Sequence, residues 1–383
     1  MSHAYIIDAV RTPRGKRNGS LSLLHPIDLA AAPLKALVAR HKISKKIDDV
    51  IYGCVSQRGE QDNVIAREAV LAAGLPEEVP GYTVNRFCGS GLNAVIAATH
   101  ALMAGQDHLI IAGGVEHMTR VPMAIEFKMA GSGLDLRYPE LVNQGISAER
   151  VAEKYNFSRR MLDEFSAESQ KRAGVAWGEN RFAKSIIPIK AKNQKGEEFL
   201  FEKDEHIRPQ TTADSLATLK PVFKPDGKIH AGNSSGIVDG AGAVLLASEK
   251  GVKESGLKPR GRVIATAQIG SDPILMLLGP IPCTRKVLQK AGLTLKEIDL
   301  YEVNEAFAPV PMAWLHDLKE EGADWKRLNV NGGAIALGHP IGATGAMLVG
   351  TILDELERTD KRYGLVTLCT GLGMAVAMVI ERL

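Results

Sequence analysis

Two of the four cysteines in this 383-residue chain stand in glycine-rich turns. Cys88 lies in NRFCGSG at residues 85–91, between an apolar strand pattern and a helix pattern of small residues. Cys369 opens CTGLG at residues 369–373, where another apolar strand pattern ends. A thiol at a helix N-terminus gains from the positive end of the helix dipole, which favours thiolate. The glycines permit a sharp turn and close approach of substrate to backbone, and backbone N–H groups there can hold a developing oxyanion. A third segment, NGGAIALGHPIGATG at residues 331–345, frames His339 with Gly and Pro on a fixed, exposed turn where an imidazole serves as a base. It lacks the Gly-Lys-Ser/Thr of a phosphate-binding loop and the GxGxxG of a dinucleotide site. Two thiols and an imidazole at strand ends occupy the edge where open α/β sheets place ligands. They suit nucleophilic thiol catalysis, with one Cys as nucleophile, His as its base and the other Cys for proton transfer. Each residue also has a plain reading: a buried structural Cys, a structural His. Asn304, in NEAF at residues 304–307, either positions a water or caps a helix. A zinc site from the same three residues is disfavoured by long spacings and the lack of an accompanying carboxylate. Cys54 and Cys283 read as structural.

These turns need a scaffold of alternating strands and helices. Strand patterns fall at residues 4–10, 49–54, 108–112, 241–248, 262–269, 299–303 and 364–369. Helix patterns fall at 29–40 (Asp28 as N-cap), 63–73, 91–104, 285–291 and 346–357. Alternation of this kind implies a mostly parallel sheet in an α/β fold. The strand at 108–112 is expected to end at Gly113-Gly114. Over residues 119–235 the pattern weakens into an inserted, loop-rich subdomain, with one good helix over 148–176 and Ser158 capping a second segment. The order glycine turn, helix, strand, glycine end occurs in both the first and last thirds, which favours two related halves.

Composition excludes several classes. Hydrophobic residues are 45% and charged residues 24%, a globular balance. The cysteines are too few and too scattered for a disulfide framework. A net charge of +3 is too small to argue for nucleic-acid binding. Residues 181–228 carry 10 Lys and Arg against 7 Asp and Glu, a basic excursion that reads as a solvated loop or as attraction for a phosphorylated ligand. No secretory signal, membrane span or peroxisomal address is expected, so the cytoplasm is the default compartment.

NRFCGSG, GNSSGIVDGAG (232–242), NEAF, NGGAIALGHPIGATGA and CTGLG occur in the order of the thiolase family, which this chain resembles. GGVEHMTRVPM (113–123), IRPQTT (207–212) and LATLKPVF (216–223) are most similar to the degradative 3-ketoacyl-CoA thiolases of fatty-acid β-oxidation. The resemblance implies two similar βαβαβαββ halves in five αβαβα layers. The N-terminal half spans 1–118 and returns over 236–262, a CoA-binding loop domain is inserted at 119–235, and the C-terminal half spans 263–383. It implies that Cys88 is acylated, that His339 takes its proton and activates the CoA thiol, and that Cys369 serves the acetyl-CoA enolate. Asn304 would hold a water that forms one oxyanion hole with His339, and the N–H groups of Cys88 and Gly371 the other. Ser235 and Phe307 would contact the pantetheine side of CoA, and Arg208 and Ser215 its nucleotide end. Coenzyme A is then a co-substrate, with no permanently bound cofactor and no metal. The implied partners are acyl-CoA, a second copy or a dimer of dimers, and a β-oxidation multienzyme partner, with no nucleic acid and no membrane insertion. The chain departs from biosynthetic acetoacetyl-CoA enzymes, which carry His-Met-Gly where it has Asn143-Gln144-Gly145. It also carries Thr370 and Leu372 beside Cys369. Acetoacetyl-CoA thiolase is the alternative. A non-catalytic acyl-CoA binder, a condensing enzyme with Cys-His-His and a nicotinamide dehydrogenase fit the residues less well.

Overall fold

The computed structural model describes residues 3–123 and 131–383; residues 1–2, and 124–130 of the expected insertion, lie outside the described residues. The strands are β1 (Ala4–Arg11), β2 (Gly15–Lys16), β3 (Asp49–Gly53), β4 (Tyr82–Val84), β5 (Leu109–His117), β6 (Ile189–Lys192), β7 (Glu198–Phe201), β8 (Val238–Ser248), β9 (Gly261–Gly270), β10 (Leu300–Val303), β11 (Tyr363–Thr370) and β12 (Met374–Arg382). Ten of them form one sheet in the order β10-β11-β12-β9-β1-β8-β5-β3-β4, with β2 on β8; β6 and β7 make a separate hairpin.

The pairing pattern repeats. In the first half β3 runs parallel to β4 and β5, and β8 runs antiparallel to β5 and β1. In the second half β10 runs parallel to β11, and β12 runs antiparallel to β11 and β9. A parallel bridge from Tyr301 to Leu328 stands where β4 stands in the first half. The halves join where Ala4, Tyr5 and Ile6 of β1 meet Val263, Arg262 and Gly261 of β9.

Of the four apolar clusters among the described residues, three fill the layers. One packs β3, β5 and β8 against the helices Pro26–His41 and Ile65–Ala72. A second packs the C-terminal strands against Pro280–Ala291 and Pro309–Asp317. The third takes residues from both halves around two central helices, Ser90–Ala104 and Thr344–Arg358. The result is helix, sheet, helix, sheet, helix. Because β5 and β8 are buried along their whole length, most of each reads as an apolar run, with Glu116, His117 and Asp239 as buried exceptions. The helix Ser90–Ala104 is apolar for the same reason: it is the middle of the molecule.

Four expectations change. The sheet is not mostly parallel: three of its pairings run parallel and six antiparallel, because β8 and β12 run against the strands on either side of them and β1 runs against β9. The first helix begins at Pro26 and is capped by His25, whose Nδ1 accepts from Ile27 N at 3.2 Å. Asp28 is not its cap, because Pro26 is already suited to the first helical position. The strand at 108–112 runs on to His117. Gly113 and Gly114 do not end it, because they serve close approach: a Cβ on Gly113 would lie 2.1 Å from Gly242 O. The helix expected over 148–176 is two, Gln144–Lys154 and Arg159–Gly178. Asn156 takes the left-handed conformation between them (φ 54°), and Ser158 Oγ caps the second by accepting from Met161 N at 3.2 Å.

Candidate active site

The Cys88 turn is built by its own polar residues. Asn85 Oδ1 accepts from Phe87 N at 2.9 Å. Ser90 Oγ accepts from Arg86 N at 2.8 Å and donates to Phe87 O at 2.6 Å. These bonds hold Phe87 at a positive φ of 47°, an unfavoured conformation that a surrounding structure must enforce. Cys88 follows, just before the central helix starting at Ser90. The helix position is as expected, but the thiol does not gain net acidity. Burial pushes it up to about 11, and the Gln144 side chain pulls the other way.

His339 sits in a turn, as its Gly-Pro frame predicts, but the turn is interior: the residue is only 4% exposed, against the expected exposed position. Gly338 adopts φ 90° and leaves no room for a Cβ against Val238. His339 N donates to Gly236 O at 2.9 Å. Thr344 Oγ1 donates to Pro340 O at 3.0 Å, so at its 2.6 Å contact with His339 Nδ1 it accepts. That puts the ring proton on Nδ1 and leaves Nε2 with a free lone pair. Burial lowers the imidazole to about 3, with the Arg14 guanidinium adding to the effect. A neutral base results.

Nε2 faces Asn304 Nδ2 at 3.5 Å, and Asn304 Oδ1 is buried with no hydrogen-bond partner among the described residues. Asn304 follows β10 and does not cap a helix; its backbone N donates to Thr367 O of β11 at 3.0 Å. Its neighbour Glu305 anchors the NGG turn. Glu305 Oε2 accepts from Ser169 Oγ at 2.7 Å and Ile335 N at 3.1 Å, and Oε1 from Asn329 Nδ2 at 3.0 Å. Cys369 is the last residue but one of β11 and is fully buried; burial raises its thiol well above the ordinary range, and nearby Cys88 adds to this. The two cysteine loops touch: Gly89 stands against the Thr370 methyl, and Gly371 against the Phe87 ring.

Cys88 and His339 line one cavity of ≈ 590 Å³. Its walls include Val55, Met118, Met123, Gln144 and Ile341 as well as the GNSSG and NEAF segments. Those segments are knitted together by Ser235 N donating to Ala306 O at 3.0 Å and Gly236 N donating to Ala334 O at 3.1 Å. Ser235, Phe307 and Arg208 line the cavity. Cys369, Asn304 and Gly371 stand just behind its wall, through the contacts above. Ser215 is not brought to it: its hydroxyl accepts from Thr212 N at 3.1 Å and donates to Thr212 O at 2.8 Å, closing the cap of a short helix. The cationic lining residues are Lys16, Arg17 and Arg208, none paired with a carboxylate among the described residues, and no Asp or Glu lines the wall. Sequence reasoning missed Gln144 as a neighbour of the thiol, noting it only as a departure from His-Met-Gly; it also missed Arg14 as a buried cation near His339, and Lys16 and Arg17 as cavity residues, which nothing local marks.

This is the site of an acyl-transferring thiol enzyme, set between two repeated α/β halves. Residues 4–250 match the thiolase N-terminal domain and residues 257–382 the thiolase C-terminal domain. The chain is 44% identical over 401 residues to the beta-ketoadipyl-CoA thiolase of Acinetobacter baylyi, covering 100% of both. It is 44% identical over 397 residues to a steroid 3-ketoacyl-CoA thiolase of Mycobacterium tuberculosis, covering 100% of this chain and 95% of that one. The structure of Bacillus anthracis acetyl-CoA acetyltransferase superposes with a TM-score of 0.91 at 38% identity, over 100% of this chain and 99% of that one. The chain belongs to the thiolase family. It is an enzyme, an acyltransferase that cleaves acyl-CoA.

Proposed function

We propose that the enzyme works in the degradative direction, cleaving 3-oxoacyl-CoA with CoA to acetyl-CoA and a shortened acyl-CoA, on acyl chains longer than acetoacetyl. The observation that carries this is the shared cavity of Cys88 and His339, whose Nε2 is unprotonated and whose wall includes the apolar side chains of Val55, Met118, Met123 and Ile341. The Cys88 thiol passes its proton to His339 Nε2 and attacks the 3-oxo carbon. The C2–C3 bond breaks, and its electron pair leaves as the acetyl-CoA enolate. Cys369, kept protonated at neutral pH by its burial, gives its proton to that enolate. His339 passes the proton it took from Cys88 on to the Cys369 thiolate, then takes the proton of the CoA thiol and gives it to the Cys88 thiolate released when CoA takes the acyl group. In this reading Asn304 with His339 receives one oxyanion, and the N–H groups of Cys88 and Gly371 the other. Lys16, Arg17 and Arg208 supply the field for the CoA phosphates.

The named relatives act on β-ketoadipyl-CoA and steroid 3-ketoacyl-CoA, which favours catabolic chains beyond plain fatty acyl groups. Acetoacetyl-CoA thiolysis is the second reading, favoured by the likeness to an acetyl-CoA acetyltransferase. Thiolytic kcat/KM across acetoacetyl-, 3-oxohexanoyl-, 3-oxooctanoyl- and 3-oxoadipyl-CoA separates them. A clear preference for the longer chains is expected, and a preference for acetoacetyl-CoA sinks the degradative reading. Absence of an acyl adduct on Cys88 by mass spectrometry sinks the mechanism.

A further inference from the structure

Glu116 takes no part in the chemistry above, yet it is fully buried in β5 and accepts hydrogen bonds from both halves of the molecule. Its Oε2 accepts from Val55 N at 3.0 Å and from Gly342 N at 3.0 Å. Its Oε1 accepts from Ser56 N at 3.0 Å and Gln61 Nε2 at 3.2 Å. Gln61 is held in turn, accepting from His117 N at 2.6 Å. Gly342 belongs to the C-terminal half and follows His339 by three residues; Gly91 follows Cys88 by the same interval.

Around this carboxylate four backbones meet without room for a side chain. A Cβ on Gly91 would lie 2.7 Å from Gly342 O, one on Gly53 2.6 Å from the same oxygen, and one on Gly114 2.1 Å from it. A Cβ on Gly342 would lie 2.4 Å from Val115 O and 2.8 Å from Glu116 Oε2. The His339 turn is therefore seated directly on the first turn of the Cys88 helix, backbone on backbone. At this junction Glu116 is the side chain that accepts an N–H from the His339 turn and from the cavity wall at Val55. Four converging donors call for a carboxylate, because an amide in its place would present its own N–H groups to them.

We infer that Glu116 is a positioning residue that sets the distance between Cys88 and His339 by clamping the two half-domains at a four-glycine junction. The inference rests on the proposed partnership of these two residues. Alkylation of Cys88 by iodoacetamide reads that partnership without turnover. In the parent, His339→Gln slows alkylation because the base is lost. Glu116→Gln is expected to slow it to the same degree, and the double variant to be no slower than either single one, because a residue acting through His339 adds nothing once His339 is gone. In thiolysis, Glu116→Gln is expected to lower kcat about tenfold to a hundredfold with KM within about twofold, the cost of a misplacement on the scale of an ångström. Additive effects in the alkylation cycle, or a change confined to KM, overturn the inference. Gln61→Ala removes one donor of the four and serves if Glu116→Gln does not fold; it is expected to lower kcat about twofold to fivefold at unchanged KM, and unchanged kcat counts against the clamp. A parent whose Cys88 alkylation depends on His339 but which cleaves no 3-oxoacyl-CoA would end the proposed function and leave the clamp standing.

Discussion

At pH 7 the proposed catalytic pair, Cys88 and His339, rests as a thiol and a neutral imidazole, because burial moves Cys88 up to about 11 and His339 down to about 3. The thiolate fraction then grows about tenfold per pH unit until the thiol titrates. Alkylation of Cys88, followed by mass spectrometry, is expected to climb steadily from pH 7 to 10 with no plateau near 8.5, where an unperturbed thiol levels off. Gln144→Leu removes the side chain that favours the charged form, so it should slow alkylation at fixed pH. Cys88→Ser is expected to lower kcat by about a thousandfold or more while acyl-CoA still binds, since the nucleophile is lost and the cavity is not. The other two cysteines behave as structural thiols: Cys54 and Cys283 are buried and raised by burial, Cys283 to about 12.

Each of these side chains is aimed by an element whose local chemistry is simple. Ser90 and Asn85 make the Cys88 turn, Thr344 orients His339, and Glu305 holds the NGG turn by three donors. Glu305→Ala removes the acceptor of the Ser169 hydroxyl, of one Asn329 Nδ2 N–H and of the Ile335 N–H in the interior, at a cost of about 3 kcal/mol. The expected outcome is a lower urea midpoint with a matching fall in activity at a fixed temperature. In the inserted domain, Ser158→Ala removes the cap of Arg159–Gly178 and should cost about 1 kcal/mol with little change in kcat. A midpoint shift without a kinetic change would show that this helix supports binding residues without touching the chemistry.

Across the whole molecule, charge and burial set two responses. His339 and His206 are both lowered by burial, to about 3 and about 4. Between these values and the unfolded value of about 6.5 the unfolded chain binds protons that the native one does not. Stability is therefore fully present above about pH 6.5 and is lost as pH falls toward 3. Unfolding midpoints measured from pH 7 to 4 should drop, and less steeply in His206→Gln. The cavity's cations act at longer range. Arg208→Glu or Arg17→Glu is expected to raise KM for CoA several-fold with kcat nearly unchanged, and added salt should shrink that difference. A loss confined to kcat would place these cations elsewhere in the mechanism.

The amino-acid sequence alone determined the α/β class and pointed to two related halves, and it singled out an inserted segment and the candidates Cys88, His339, Cys369 and Asn304. All of these are written in short-range signals: period, turn glycines and contiguous motifs. It misjudged features that depend on what lies opposite. His339 looked exposed because a Gly-Pro frame says nothing about depth. Gly113-Gly114 looked like a strand end, because the backbones that exclude a Cβ there come from residues 242 and 342. Ser215 matched a family position yet spends its hydroxyl on its own helix cap. Glu116 and Arg14 carry no local mark, since their importance lies in partners that are distant in the chain. Only the tertiary structure buries the thiol and imidazole together, and that burial, through desolvation, decides their protonation.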